Sequence, residues 1–165
     1  MGLSHFFFME VIMIRLAKTE DIPRVQELLK QILIVHHQVR PDIFKSEGSK
    51  FTNAELEAVI NDSTKPIFVY EDENGCILGH IFLIIQDISE NDGPKKAHKT
   101  LFIDDLCVDK EARGKKLGEK LYQFALEYAK ELGCYNVTLH VWNDNDVYDC
   151  LGMKPRYTEM ETILK

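Results

Sequence analysis

The chain has 165 residues, of which 45% are hydrophobic and 28% charged, and its formal net charge is −7 at pH 7. This length predicts a single domain that buries roughly 70% of its unfolded surface. Lysines and glutamates are interspersed without a long basic run, which excludes a typical nucleic-acid-binding protein and favours a cationic or amine-bearing partner.

Cysteine spacing and hydropathy indicate the class of protein. Cys76, Cys107, Cys134 and Cys150 show no CxxC spacing, which predicts reduced core thiols in a cytoplasmic protein and no metal site. No stretch approaches the roughly 20 apolar residues of a membrane span.

Residues 1–12 lack the features of a signal peptide, and we interpret them as an N-terminal extension whose phenylalanines could support a homodimer.

The first part of the chain predicts one strand and two helices. Residues 11–16 read as a strand, and Thr19 is the expected N-cap of a helix with apolar residues at helical spacing. Thr52 and Glu55 form a T-x-x-E capping box, which predicts a second helix through Ile60.

The middle and end of the chain are rich in strand patterns. Residues 66–71 and 76–88 are joined by DENG, a strong hairpin signal, and a polar loop then leads to a strand over 99–108. Residues 135–142 and 157–164 predict two more strands. This order of elements indicates an α/β (α+β) fold with a mixed, mostly antiparallel sheet and helices on both faces.

The most informative stretch runs from residue 101 to 121. A strand pattern there leads into a basic, glycine-containing turn and then into an amphipathic helix. Such an order presents free backbone N–H groups and a helix N-terminus to solvent, where a phosphate can bind. The helix is anchored to a core through Leu117, Leu121, Phe124, Ala125, Tyr128 and Leu132.

Residues 106–118, LCVDKEARGKKLG, resemble the acetyl-CoA-binding signature of the GCN5-related (GNAT) N-acetyltransferases. The family pattern, Arg/Gln-x-x-Gly-x-Gly/Ala, falls on Arg113, Lys116 and Gly118, so a lysine stands at the middle glycine. A lysine fits that position with a negative φ and is strained there with a positive φ. Weaker matches in the family's order extend the resemblance from about Met13 to the end of the chain, which indicates one N-acetyltransferase domain over residues 13–165.

The resemblance implies a reaction and a cofactor site. In the family, strands 4 and 5 splay apart, and the pantetheine arm of acetyl-CoA, the co-substrate, lies between them. The backbone of Leu106, Cys107 and Val108 would hold this arm. A small-molecule amine, or a protein amine, would then attack the thioester directly. The pyrophosphate would bind to Arg113, Gly114, Lys115, Lys116, Leu117 and Gly118.

The resemblance also supplies a candidate acid near the end of the chain. The family's closing motif is Asn, six residues, Tyr, three residues, Gly, and Tyr148 with Gly152 fits its second half. Asn145 matches the asparagine that contacts pantetheine, but it precedes Tyr148 by three positions where the family has seven. The missing residues correspond to about one helical turn. We predict that Tyr148 donates a proton to the departing thiolate.

The base is less strongly indicated by the sequence. Asp104 and Asp105 adjoin the strand expected to hold the thioester, and simple alternation would place them on opposite faces of the sheet. We predict that Asp105 is the base, with His80 and His98 as alternatives.

Some side chains and two other functions remain open. His36 and His37 are interpreted mainly as partners of helix C-terminal carbonyls, and Phe44 mainly as a core plug, with a role at the acceptor site as the alternative for each. A shortened closing motif is also compatible with a non-catalytic acyl-CoA-binding module. A third possibility is another α/β nucleotide-binding protein, although neither GxxxxGK[ST] nor GxGxxG is present.

Overall fold

The structure is a computed structural model that describes residues 14–142 and 147–164. The proposed extension, residues 1–12, and Asn145 lie outside the described residues. The strands are β1 (Ile14–Leu16), β2 (Ile67–Glu71), β3 (Ile77–Ile88), β4 (His98–Val108) and β5 (Asn136–Leu139). The α-helices are α1 (Ile22–Val39), α2 (Asn53–Ile60), α3 (Leu117–Glu131) and α4 (Val147–Cys150). None of the helices in these two ranges is long and apolar enough to cross a membrane.

The five strands form one sheet in the order β1-β2-β3-β4-β5. The pairs from β1 to β4 are antiparallel, and β5 is parallel to β4. The parallel pair requires a crossover, which α3 provides. The prediction of a mixed, mostly antiparallel sheet is confirmed.

Two hydrophobic layers cover the two faces of the sheet. One layer packs α3 against the sheet through Leu121, Ala125, Ile81 and Leu101, all of which are fully buried. The other packs α1 and α2 against the opposite face through Val25, Leu28, Leu29, Leu56 and Val69. Helices therefore lie on both faces, as the sequence predicts.

Two local signals in the sequence form the structures that they predict. Thr52 accepts a hydrogen bond from the N–H of Glu55 at 3.2 Å, and the Glu55 carboxylate accepts one from the N–H of Thr52 at 2.8 Å. At the β2–β3 hairpin, Gly75 has a φ of 80° and its N–H bonds to Asp72 O at 3.0 Å. Both signals depend only on residues close in sequence, so they do not need the rest of the fold.

Two predicted elements are wrong. Thr19 does not cap α1, because residues Thr19–Asp21 form a 3₁₀ turn and the Asp21 carboxylate accepts a hydrogen bond from Lys18 N–H at 2.8 Å. Residues 157–164 form no strand, and β5 is shorter than predicted. A strand requires a neighbour to which its backbone can bond, and residues 157–164 instead expose Tyr157, Met160, Ile163 and Leu164.

The cysteines also differ from the prediction of core thiols. Only Cys107 is buried, whereas Cys76 and Cys150 are exposed and Cys134 is partly buried. All four are free thiols. Burial raises the pKa of Cys107 to about 12, and its Sγ lies 3.4 Å from the carbonyl of Leu28. Cys107 is therefore a protonated core residue at neutral pH.

Gly79 is required where β3 passes under α3. A Cβ at this position would lie 2.8 Å from the carbonyl oxygen of Cys107 and 3.2 Å from Leu121 Cδ1. We expect Gly79→Ala to lower the free energy of unfolding by about 2 kcal/mol, because the β4 backbone would have to move. Chemical denaturation measures this loss. Gly118→Ala is the control, since its Cβ would make ordinary contacts at 3.7 Å, and an equal loss there would contradict the argument.

Candidate active site

A β-bulge in β4 sets the direction of the candidate catalytic side chains. Phe82 on β3 pairs with Asp105, but the next residue, Leu83, pairs with Ile103, so Asp104 is an extra residue. A bulge of this kind bends the strand and shifts the alternation of its side chains. Ile103 packs with the α3 layer, whereas Cys107, beyond the bulge, packs with the α1 layer.

The bulge overturns the expectation that Asp104 and Asp105 face opposite sides of the sheet. The ammonium of Lys50, in the segment between α1 and α2, lies 2.6 Å from Asp104 Oδ2 and 4.0 Å from Asp105 Oδ2. One cation can reach both carboxylates only if they point toward the same region. The two aspartates therefore form an acidic pair on the α1 side of the sheet.

The ladder between β4 and β5 ends partway along β4. The last pair joins Ile103 to Leu139, and among the described residues β5 pairs with nothing beyond it. Residues 105–108 therefore remain bonded to β3 on one side and present an open backbone edge on the other. This opening matches the predicted splay of strands 4 and 5.

A pocket of about 180 Å³ lies on the α1 side of this opening. Asp105, Leu106 and Tyr148, three of the predicted site residues, line it together. Trp142 and His36 complete one wall, although the sequence analysis did not select Trp142. The remaining lining residues are Ile32, Val35, Val39, Ile103, Asp104, Leu139, His140 and Val141.

The side chain of Asp105 contacts a buried histidine, His80. The Asp105 side chain is 6% exposed, and its Oδ1 lies 3.3 Å from Nε2 of His80, which is completely buried. Nδ1 of His80 has no hydrogen-bond partner among the described residues. His80 thus contacts the predicted base rather than the pocket. His98, the other alternative, lies at the far end of β4, with its Nδ1 2.8 Å from Lys96 O.

Tyr148, on α4, lines the same pocket as the acidic pair. Its ring stands edge-on to that of Tyr122 on α3, with ring centroids 6.4 Å apart. Burial, and then the negative charge of Asp105, raise the pKa of the Tyr148 hydroxyl above its ordinary value. The hydroxyl is therefore protonated at neutral pH and available as a hydrogen-bond donor.

The basic turn begins at a fixed point between α1 and β4. Burial opposes the ionisation of Asp109, but hydrogen bonds from Glu111 N–H, Arg24 and Gln31 outweigh it and hold the Asp109 pKa below its usual value. Gln31 also accepts a hydrogen bond from Lys110 N–H at 2.9 Å. The start of the turn is thus tied to α1 by two side chains.

The turn offers backbone donors at the start of α3. Leu117 and Gly118 are in its first turn, where N–H groups lack intrahelical partners. Among the described residues, no protein group accepts a hydrogen bond from Lys115 or Lys116 N–H. Gly118 lies beneath β4, where its Cβ position is 3.7 Å from Leu106 and from Val108 side chains. These donors and the open β4 edge fit a pyrophosphate with an extended arm.

Lys116 adopts the conformation that the sequence analysis identified as strained. Its φ of 59° and ψ of 24° lie in the left-handed region, and it is the sole non-glycine residue with positive φ in residues 14–142 and 147–164. We expect Lys116→Gly to raise the free energy of unfolding by about 1 kcal/mol, because glycine adopts this conformation without steric cost.

Thermal unfolding measures this effect, and a rise in Tm of roughly 3 °C corresponds to it. The control is Lys115→Gly, since Lys115 is also exposed but has no positive φ. Glycine there should destabilise the chain slightly through the entropy of the unfolded state. A Tm for Lys116→Gly at or below the wild-type value would contradict the assignment of strain.

Phe44 is part of an aromatic group at the outer wall of the pocket and not a core plug. Its ring stacks on His36 with centroids 5.0 Å apart, and it meets Trp142 edge-on at 5.2 Å. His37 also contacts this segment, with its Nδ1 2.7 Å from the carbonyl of Phe44. The segment between α1 and α2 therefore supports the wall that His36 and Trp142 form.

Known proteins share the fold of this chain. A BH1408 mutant protein from Bacillus halodurans has 27% sequence identity and a TM-score of 0.85, over 92% of this chain and 99% of that one. Glucosamine-6-phosphate N-acetyltransferase from Arabidopsis thaliana has a solved structure with 25% identity and a TM-score of 0.66, over 92% and 97% of the two chains.

Sequence comparison leads to the same group of proteins. A protein named glucosamine 6-phosphate N-acetyltransferase from Arabidopsis thaliana is 39% identical over 59 residues, a stretch that spans 35% of this chain and 40% of that protein. The sequence model of the acetyltransferase (GNAT) family matches residues 31–149, which include β2 to β5 and the basic turn. This chain therefore belongs to the acetyltransferase (GNAT) family.

Proposed function

We propose that this chain transfers an acetyl group from acetyl-CoA to a primary amine by direct attack, with residues 13–165 as one N-acetyltransferase domain. The observation that carries the proposal is the opening between β4 and β5. Unpaired N–H groups of the turn lie beyond one end of β4, and Asp105 and Tyr148 line the pocket at its bulge. Acyl transfer needs a site that anchors the acyl donor and a separate pocket for the acceptor, and this region has candidates for both.

The turn and the open strand edge are the proposed cofactor site. The pyrophosphate would accept hydrogen bonds from the N–H groups of residues 113–118, in the positive field of the α3 N-terminus. The edge of Leu106, Cys107 and Val108 supplies backbone groups to the extended arm, whereas the Cys107 side chain stays in the core. Bound acetyl-CoA would supply a thioester carbonyl that an amine can attack.

Asp105 and Tyr148 have separate roles in the proposed reaction. The Asp105 carboxylate would attract the acceptor ammonium, orient it and take up its proton through water. The Tyr148 hydroxyl would donate a hydrogen bond to the sulfur as negative charge develops there. Because its pKa is above that of an ordinary thiol, stabilisation by this hydrogen bond precedes any full proton transfer.

The first test is calorimetric titration of the purified chain with acetyl-CoA, with ATP and NAD as controls. We expect saturable binding of acetyl-CoA and no binding of ATP or NAD. Addition of a primary amine should then release coenzyme A with a free thiol. Binding of ATP or NAD in preference to acetyl-CoA would overturn the proposal. Acetyl-CoA binding without thiol release, over a broad set of amines, would indicate a non-catalytic acyl-CoA-binding module.

A further inference from the structure

We propose that the acceptor carries its primary amine on a small apolar body, aromatic or branched aliphatic. A phosphorylated sugar and a polyamine are both disfavoured as acceptors. This inference rests on the proposed function and names the substrate class of the same pocket.

The composition of the pocket wall favours an apolar acceptor. Seven of the thirteen described residues that line the pocket are aliphatic, and the other six are Asp104, Asp105, Tyr148, Trp142, His36 and His140. Burial of an apolar body against the aliphatic side chains is favourable at about 25 cal/mol per Å². The aliphatic residues are Ile32, Val35, Val39, Ile103, Leu106, Leu139 and Val141.

One side of the pocket also offers a flat aromatic surface. Trp142 is 44% exposed, so part of its ring is free to contact a ligand. The ring is held edge-on against Phe44, which itself stacks on His36. A supported indole face of this kind suits offset stacking with another ring or contact with a branched alkyl group.

The charges around the pocket oppose a phosphorylated acceptor. No lysine or arginine lines it, within the part of the chain that the structure describes. Lys50 is paired with Asp104, and Arg40, which lies 6.0 Å from the Trp142 ring, is paired with Asp42 and Glu161. A phosphate would therefore meet two carboxylates without a cation of its own. An ammonium, by contrast, meets Asp105 directly.

Size and charge together disfavour a polyamine. The pocket of about 180 Å³ is close to the volume of roughly 150 Å³ at which an apolar cavity in a protein binds benzene. Asp105 can pair with one ammonium, whereas Asp104 is already paired with Lys50, so a second ammonium on a long chain would lack a carboxylate of its own in the pocket, where an unpaired charge is costly. One amine on a body of about one ring is the acceptor that fits.

The only tryptophan of the chain provides a binding signal that does not depend on turnover. Because Trp142 lines the pocket, an apolar ligand that removes water from its ring should shift its emission to shorter wavelength. We expect phenethylamine and isoamylamine to give saturable shifts with coenzyme A present. Phenethyl alcohol, which lacks the ammonium, and glucosamine 6-phosphate and spermidine should each bind at least about tenfold more weakly.

Acetyl transfer to the same compounds completes the test. We expect kcat/KM for phenethylamine to exceed that for glucosamine 6-phosphate and spermidine by at least about tenfold. Val141→Arg adds a cation to the pocket wall. It should raise kcat/KM for glucosamine 6-phosphate relative to kcat/KM for phenethylamine. Tyr135→Ala is the control, because Tyr135 is 80% exposed and contacts His98, outside the pocket.

The outcomes separate this inference from the proposed function. Preferred acetylation of glucosamine 6-phosphate or spermidine would overturn the apolar class and support acetyl transfer. Binding of phenethylamine without acetyl transfer would support the apolar class and count against the reaction. If no apolar amine alters Trp142 emission or is acetylated, the apolar class is overturned.

Discussion

Tyr148→Phe should lower kcat for acetyl transfer by about 100-fold, which is the low end of the usual contribution of an acid catalyst. The KM for the amine should change by less than about threefold. The phenyl ring keeps the contact with Tyr122, so the substitution removes the hydroxyl and little else. The loss falls on kcat because the hydrogen bond strengthens only as charge develops on the sulfur. Steady-state kinetics with saturating acetyl-CoA measures both constants.

Tyr122→Phe is the matched control for this prediction. Tyr122 is buried next to Tyr148, and burial raises its pKa too, but it does not line the pocket. Its hydroxyl should therefore be dispensable for turnover.

The raised pKa of Tyr148 also predicts how kcat depends on pH. The Tyr148 hydroxyl should stay protonated up to pH 10, the ordinary pKa of tyrosine, so wild-type kcat should decline only above that pH. Equal activity of Tyr148→Phe and the wild type would remove Tyr148 as the acid.

Asp105→Asn should lower kcat/KM for the amine by about 100-fold and leave acetyl-CoA affinity within about threefold. Asparagine keeps the shape of the side chain and its position beside His80 but removes the charge that attracts the ammonium and the group that takes its proton. Amine concentration series at fixed acetyl-CoA, together with calorimetry, separate the two effects. Asp87→Asn is the control, because Asp87 is 76% exposed at the end of β3.

The same variant has a readout that does not require catalysis. The charge of Asp105 raises the pKa of Tyr148, second only to burial, so Asp105→Asn should lower that pKa. A tyrosine titration followed by NMR on the labelled protein detects the shift. An unchanged Tyr148 pKa would contradict the assigned proximity of the two groups, and an unchanged kcat/KM would exclude Asp105 as the base.

Contacts between residues close in sequence could be predicted from the sequence alone. The capping box at Thr52, the DENG hairpin and the amphipathic face of α3 depend on periodicity and turn chemistry. The basic turn before α3 was recognisable for the same reason, since a strand, a short turn and a helix start are contiguous. These features, together with their order, were sufficient to indicate the family and the sheet.

The arrangement of the candidate catalytic residues depended on relations that no local pattern contains. Alternation placed Asp104 and Asp105 on opposite faces, but a bulge created by the pairing with β3 brought both toward Lys50. The final strand was predicted from its residues, yet residues 157–164 pair with no strand in the described part of the chain, and a strand forms only where its backbone bonds to a neighbour.

The sequence by itself determined the family and the order of elements up to β5, and it indicated Asp105 and Tyr148 as candidate residues, because all of these follow from short motifs in a fixed order along the chain. Only the tertiary structure decided that Trp142, His36 and Phe44 form one wall, because they come from three segments distant in sequence. It also decided the left-handed conformation of Lys116, which the path of the chain from β4 into α3 imposes. Side-chain direction and charge pairing are properties of packing, and packing is set by residues that meet only after folding.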